Sequence, residues 1–367
     1  MTKVCIIGVG YVGLKLFIEF SKIFDTIGFD ISKSRIDELN KTYNTDKFTT
    51  DENMLKDSCL YCIAVPTLLK SDNSSVEDKN LKSAIQMVTK YASPGSCIVI
   101  ESSVYVGMTR SLLSNIHEKG IYFGFSPERV DPGRTEPLFS DIPKIISGYD
   151  KESLNMIEKY YSKIFKTLVP VSSLETAEMC KLYENCFRMI NIAYVNEISD
   201  ACSKHNIDVL EMVNASSTKP FGYMKFTPGL GVGGHCIPVN PYYLFINNNL
   251  PLLENATITT HQRPIKKAEE LCNMYHDINN ILVIGQAFKP GESLTIFSPA
   301  HIFTKELIKI GKNVTIYDPL IDEYSKFEWT LENINSYPYV IIAMKQINID
   351  YSLLDNYKGK IIYSEQF

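Results

Sequence analysis

The stretch that most restricts how this chain can fold is residues 4–13, VCIIGVGYVG. Here a β-branched run leads directly into Gly8, Gly10 and Gly13, and a helical pattern follows. A GxGxxG between a strand and a helix turns its backbone N–H groups and the helix N-terminus toward one point, where a pyrophosphate can sit. Asp30 ends the next strand-like run 22 residues after Gly8, the place from which a carboxylate accepts hydrogen bonds from an adenosine ribose. An acid there repels a 2′-phosphate, so the pattern favours NAD over NADP. A glycine turn that serves packing alone is the other reading of the same residues.

The rhythm of the turn repeats along the chain. Residues 4–7, 12–22, 26–29, 33–40, 60–65 and 97–101 alternate strand and helix patterns, the signature of a mostly parallel sheet with crossover helices. After an irregular stretch the alternation resumes at 281–284, 300–310, 314–317, 340–343 and 361–363, and ILVIGQA followed by VTIYDP echoes VCIIGVG followed by TIGFD. Asp30 and Asp318 close corresponding strands, but only the first unit carries the complete phosphate-binding turn. Between the two lies a run from Glu175 to His205 without glycine or proline. Its apolar stripe, Met179, Leu182, Cys186, Phe187, Ile190 and Tyr194, predicts one long helix with those residues on its buried side. The expected fold is therefore α/β, two Rossmann-like parallel-sheet domains joined by a long central helix. The predicted domains are 1–171, 172–275 and 276–367, as 367 residues exceed one core.

Bulk properties exclude several classes. A net charge of −5 gives no broad basic field, so nucleic acid is not an expected partner. No apolar run approaches membrane-spanning length, and residues 4–8 enter a strand too early to leave room for a signal peptide. Nine cysteines, an odd number without short-scaffold spacing, predict reduced thiols and a cytoplasmic setting. Cys59 and Cys62 form a lone CxxC inside a predicted strand, for which core packing is the default and a metal is not expected.

Four segments look chemical. FTPGLGVGGHCIPVNPYY places Cys236 behind closely spaced glycines and between prolines, a rigid loop able to hold a thiol in a tight backbone pocket; a structural loop with a buried cysteine is the alternative. On the predicted helix, Lys181, Asn185 and Arg188 fall on one face, a cation, an amide and a guanidinium that suit an oxyanion and a phosphorylated ligand, or else a solvated polar face. ESSVYVG, immediately after a predicted strand, and SPERVDPGR have unusual punctuation; loops at strand C-termini are where open α/β sheets bind ligands, though a turn alone would account for Pro127, Pro132 and Gly133.

In order, GxGxxG, SS after a strand, SPERVDPG, KLYEN and GVGGHCIPVNPYY resemble the UDP-glucose/GDP-mannose dehydrogenase family over nearly the whole chain. GGHCIP and SPERVDPG look like its branch acting on UDP-N-acetylhexosamines, with UDP-N-acetylglucosamine or its manno epimer as the implied substrate. The resemblance implies a four-electron oxidation of the sugar C6 alcohol to a uronate with NAD, through a thiohemiacetal and a thioester on Cys236. It assigns Lys181 and Asn185 to the oxyanion, Glu128 to steering the hydrolytic water, and Ser103 to holding water or substrate. Gly8, Gly10, Tyr11, Val12, Gly13, Asp30, Arg35, Pro66, Thr67 and Ser103 carry over as cofactor-binding. For the UDP-sugar the match gives Glu128, Arg129, Lys181, Asn185, Arg188, Phe226, Gly229, Gly231, Gly233, Phe288 and Lys289. A homodimer or higher homo-oligomer, and a place in synthesis of a surface polysaccharide, are implied too.

The departures define the competing expectations. Asn240 stands where the family has an aspartate, and an amide is no base at neutral pH. In KPGESLTIFSP, Ser293, Leu294, Ile296 and Phe297 replace two acids, an arginine and a glutamate. Only 28 residues separate Asp30 from Cys59, so a peripheral element is missing. An impaired NAD- and UDP-sugar-binding homologue, an enzyme that halts after two electrons, and UDP-glucose as substrate are the alternatives.

Overall fold

The repeating apolar runs become two sheets. In the computed structural model, which describes residues 2–69, 76–131, 134 and 136–366, the chain divides into two compact units, Met1–Glu184 with Tyr242–Asn248 and Asn185–Pro241 with Asn249–Phe367.

The first unit contains β1 (Lys3–Ile7), β2 (Asp25–Phe29), β3 (Phe48–Thr49), β4 (Leu60–Ile63), the two-stranded antiparallel ladder β5 (Leu68–Leu69) and β6 (Val76–Glu77), β7 (Cys97–Ile100), β8 (Tyr122–Phe125), β9 (Lys144–Gly148) and β10 (Leu168–Pro170). The eight-stranded sheet has the order β10-β9-β8-β7-β4-β1-β2-β3, and every pair in it is parallel except β8 with β9. From β3 to β8 this is the doubly wound dinucleotide-binding order. Alternate residues go to opposite faces. Cys5, Ile7, Tyr61, Ile63, Ile98 and Ile100 join one core, under α3 (Lys79–Tyr91) and α4 (Met108–His117). Val4, Ile6, Leu60, Cys62, Cys97 and Val99 join the other, under α1 (Tyr11–Ser21), α2 (Lys33–Tyr43) and α5 (Lys151–Tyr161). Each aliphatic side chain fully buried this way contributes about 1.5–3 kcal/mol. Cys62 is a core residue, its sulfur 3.5 Å from the Tyr161 hydroxyl.

Helix α6 (Leu174–Lys204) runs unbroken for 31 residues, about 45 Å at 1.5 Å per residue. Its buried side differs from the predicted stripe. Leu182 and Cys186 are buried as expected and Ile190 is half-buried, but Met179, Phe187 and Tyr194 are exposed, Tyr194 by 62%. Inward positions are taken instead by Glu178, Asn185, Asn196 and Ser199 among the apolar residues. Glu178 tolerates burial because it accepts from the N–H groups of Gly107 and Thr109 at 2.6 and 2.9 Å.

The second unit adds α7 (Val209–Ser216), α9 (Pro251–Met274), β11 (Asn280–Ile284), α10 (Pro299–Lys309), β12 (Asn313–Tyr317), α11 (Leu331–Ile334), β13 (Tyr339–Ile342) and β14 (Lys360–Tyr363), while the short α8 (Asn240–Phe245) begins in it. Its four strands lie in the order β12-β11-β13-β14, all parallel. The echo between the two units extends to single hydrogen bonds. Gly8 (φ +86°) donates to Phe29 O at 2.8 Å and Val9 N–H to Asp30 at 3.0 Å; Gly285 (φ +80°) donates to Tyr317 O at 2.9 Å and Gln286 N–H to Asp318 at 2.8 Å. The second turn is closed, however: Asp318 is fully buried, and Gln346 Nε2 donates to its carboxylate.

Candidate active site

In the first unit the candidate cofactor residues lie along one sheet edge. Gly8 follows β1, Asp30 follows β2, Pro66 and Thr67 follow β4, Ser103 follows β7 and Glu128 follows β8, so neighbouring strands deliver them in a row at their C-terminal ends. Tyr11, Val12 and Gly13 open α1, whose N-cap is Gly10 with no side-chain cap, leaving first-turn N–H groups available to an anion. A Cβ on Gly10 would meet nothing within 4 Å, whereas one on Gly13 would lie 1.8 Å from the Gly8 carbonyl oxygen. Gly13 is thus required by packing, whereas Gly10 borders open space at the turn, which fits the approach of a dinucleotide pyrophosphate. Asp30 accepts from Val9 N–H at 3.0 Å and Ser32 N–H at 2.9 Å, one per oxygen, leaving lone pairs for a ribose diol. Arg35 Nε donates to Val9 O at 3.3 Å, and Thr67 Oγ1 to Ser103 O at 2.8 Å, tying together loops that would carry the nicotinamide half.

Glu128 is buried in this unit. Its Oε1 accepts from the N–H groups of Arg129 and Val130 at 2.6 and 2.8 Å, and its Oε2 from Lys144 Nζ at 3.3 Å. Lys181 Nζ on α6 donates to the Glu128 carbonyl oxygen. Arg129 is engaged, bonded to Glu184 at 2.7 Å and to Pro143 O at 3.0 Å. Of the SPERVDPGR segment, Pro132 and Gly133 lie outside the described residues.

In the second unit Cys236 is exposed on a turn in which Asn240 N–H donates to Cys236 O at 2.9 Å. That i to i+4 bond ties the backbone of Cys236 to the start of α8. Asn240 is buried, and its Oδ1 accepts from Asn185 Nδ2, while Asn185 Oδ1 accepts from Arg188. A guanidinium only donates, so the direction of this chain from Arg188 to Asn185 to Asn240 is forced. The preceding loop is held just as firmly. Asn196 accepts from Gly229 N–H at 2.9 Å, and Arg263 donates to Gly229 O at 2.8 Å while paired with Asp200 at 2.8 Å. Gly231 (φ +142°) and Gly234 (φ +84°) occupy backbone that favours glycine, and a Cβ on Gly233 or Gly234 would strike Phe288 at 2.6 or 2.8 Å. The glycines therefore let the loop lie against the Phe288 ring, with Lys289 next in sequence. Phe226 packs edge-on to Phe187, centroids 6.1 Å apart.

Sequence reasoning missed Lys144, Asn196 and Arg263, which position these groups. A lone charge opening an apolar strand, and polar residues inside a helical stripe, were the available signals. Leu294, Ile296 and Phe297 of the altered C-terminal segment are exposed. No helix among the described residues is long and apolar enough to cross a membrane.

Known proteins share this architecture and sequence. Residues 42–167 match the NAD binding domain, and residues 175–262 the central domain, of the UDP-glucose/GDP-mannose dehydrogenase family. Protein CapL of Staphylococcus aureus is 37% identical over 264 residues, 66% of this chain and 62% of that one. UDP-N-acetyl-D-glucosamine 6-dehydrogenase of Salmonella typhi is 31% identical over 363 residues, 87% of this chain and 83% of that one. The solved UDP-N-acetyl-D-mannosamine dehydrogenase of Pyrococcus horikoshii superposes with a TM-score of 0.88 at 28% identity, over 99% of this chain and 95% of that one. An NAD-type glycine turn, an exposed cysteine on a glycine loop and these matches converge, and the chain belongs to the UDP-glucose/GDP-mannose dehydrogenase family of NAD-dependent UDP-sugar dehydrogenases.

Proposed function

We propose that the protein oxidises C6 of a UDP-N-acetylhexosamine, UDP-N-acetylglucosamine foremost, to the uronic acid by way of a covalent adduct on Cys236. The observation that carries this reading is the exposed thiol on a glycine-lined turn, one helical turn ahead of the buried Asn240–Asn185–Arg188 chain. NAD, when bound, would supply the hydride acceptor, a fresh molecule for each of the two oxidations. Loss of hydride from C6 and of the hydroxyl proton gives an aldehyde, to which the Cys236 thiolate adds. The thiohemiacetal gives up a second hydride to become a thioester. Water then adds to its carbonyl, the C–S bond breaks, and acid and thiolate separate.

Lys181 and Asn185 are assigned to the oxyanion, and Glu128 to orienting the attacking water with Ser103. Arg188, Arg129, Phe226, the Gly229–Gly231–Gly233 loop, Phe288 and Lys289 hold the nucleotide sugar. The relatives named for glucosamine and mannosamine substrates support an N-acetylhexosamine. The reading includes a cytoplasmic enzyme that pairs through the outward side of α6, where Met179, Tyr183, Phe187 and Tyr194 are exposed.

Asn240 favours a second reading, a homologue that binds NAD and UDP-sugar but turns over slowly for want of a base. The purified protein should be given NAD with UDP-glucose, UDP-N-acetylglucosamine, UDP-N-acetylgalactosamine and UDP-N-acetylmannosamine in turn. The highest kcat/KM is expected with an N-acetylhexosamine; preference for UDP-glucose overturns the substrate, and silence with all four supports the second reading.

A further inference from the structure

We propose that Lys144, braced by Glu101 and Tyr161, is a positioning residue that sets the carboxylate of Glu128 for hydrolysis of the acyl-enzyme. This rests on the reading of Glu128 as the group that orients water. All four residues belong to the first unit.

Lys144 opens β9 and Glu101 directly follows β7, the side chains 3% and 0% exposed. Both ends of each charge are accounted for. The ammonium donates to Glu101 Oε2 at 2.5 Å, to the Pro127 carbonyl at 3.1 Å and to Glu128 Oε2 at 3.3 Å, which uses its three hydrogens. Glu101 Oε1 accepts from the Tyr161 hydroxyl at 2.5 Å. One lysine thus grips both the backbone residue before Glu128 and the Glu128 carboxylate, while the neighbouring amides hold its other oxygen. Glu128 has no freedom to rotate without breaking bonds on both sides.

Burying two carboxylates and one ammonium is a poor way to gain stability. Desolvation costs several kcal/mol per ion, and apolar residues of like volume often serve as well or better. Burial pushes Glu101 up to about 7, with Lys144 opposing the shift and Glu128 adding to it. For Lys144, burial works against the charge, yet the two carboxylates outweigh it and hold the ammonium above its ordinary range. The cluster is therefore a costly arrangement that keeps a cation permanently against Glu128, at the sheet edge where the cofactor residues converge. A purely structural filler would not need to reach that carboxylate.

The test is single-turnover kinetics of the whole enzyme with saturating NAD and the UDP-N-acetylhexosamine it turns over best. Intact-protein mass follows the acyl adduct on Cys236. Lys144→Met is expected to form the adduct at the wild-type rate and release acid about 10²-fold more slowly, the penalty of a misplaced reacting group. NAD affinity, which reports on the fold of the same unit, should be unchanged, and Lys144→Arg should restore most of the release rate. In the double variant with Glu128→Gln the two losses should not add. Wild-type acid release by Lys144→Met, or equal slowing of adduct formation and release, overturns the inference. Should that variant fail to fold, Tyr161→Phe removes one hydroxyl and keeps every charge: release slowed about fivefold supports the proposal, as expected for one lost hydrogen bond, and unchanged release overturns it. If the wild-type enzyme makes no acid from any UDP-sugar, it is the reading of the function that fails.

Discussion

Gly10→Ala separates cofactor binding from folding within a single turn. Gly10 has φ −71° and ψ −155°, backbone open to alanine, and its added methyl would meet nothing within 4 Å. Restricting the unfolded chain stabilises by about 0.4–1 kcal/mol. Replacing a glycine N-cap by alanine costs roughly 0.5–1 kcal/mol. The two nearly cancel, so Tm should stay within about 2 °C of wild type. Binding should suffer, because a methyl where the pyrophosphate approaches removes about two charge-assisted N–H bonds of roughly 1.5–3 kcal/mol each. A loss of about 3 kcal/mol is on the order of a 100-fold rise in Kd for NAD. Gly13→Ala is the contrast: its methyl would stand 1.8 Å from the Gly8 carbonyl, so stability itself should fall, by about 3 kcal/mol. Calorimetric titration with NAD and a thermal melt on both variants check this. Gly10→Ala that melts normally and binds NAD as tightly as wild type would refute the placement of the pyrophosphate at this turn.

Cys236→Ala should abolish acid formation while leaving NAD binding intact; an unchanged uronate yield removes the thiol from the mechanism. Asn240→Asp keeps an acceptor for Asn185 Nδ2 and adds a base four residues after Cys236, so turnover should rise on the order of 10²-fold, and unchanged or lower turnover would show that the amide is not the deficit. Burial raises Glu101 from its ordinary 4.5 to about 7, so between those values the unfolded chain loses its proton first. Stability attributable to Glu101 therefore falls as pH rises from about 4.5 to about 7 and is level above. Glu101→Gln should flatten that part of a denaturant-derived stability profile, and an unaltered slope would contradict the buried charge.

The strands and the glycine turns were legible because local signals coincide there: β-branched runs, period two, and glycines that only one turn accommodates. Even the correspondence of Asp30 with Asp318 could be read, since each ends the strand-like run that follows a glycine turn. What could not be read depended on partners far away in sequence. Glu178 and Asn196 occupy inward positions of α6 because backbone donors at Gly107, Thr109 and Gly229 meet them, so Met179, Phe187 and Tyr194 turn outward against their hydrophobicity. Lys144 looks like a strand-end surface charge until Glu101, 43 positions earlier, is brought against it. The individual residues of the glycine and cysteine loop were visible, while the forced hydrogen-bond direction from Arg188 to Asn240 required the folded backbone.

The central claim is that one cysteine carries the sugar through two successive oxidations. Counting NADH formed against acid released, with limiting UDP-N-acetylhexosamine, measures this directly. The account predicts two NADH for every uronate and no free aldehyde. One NADH per sugar, with aldehyde as the product, would contradict it.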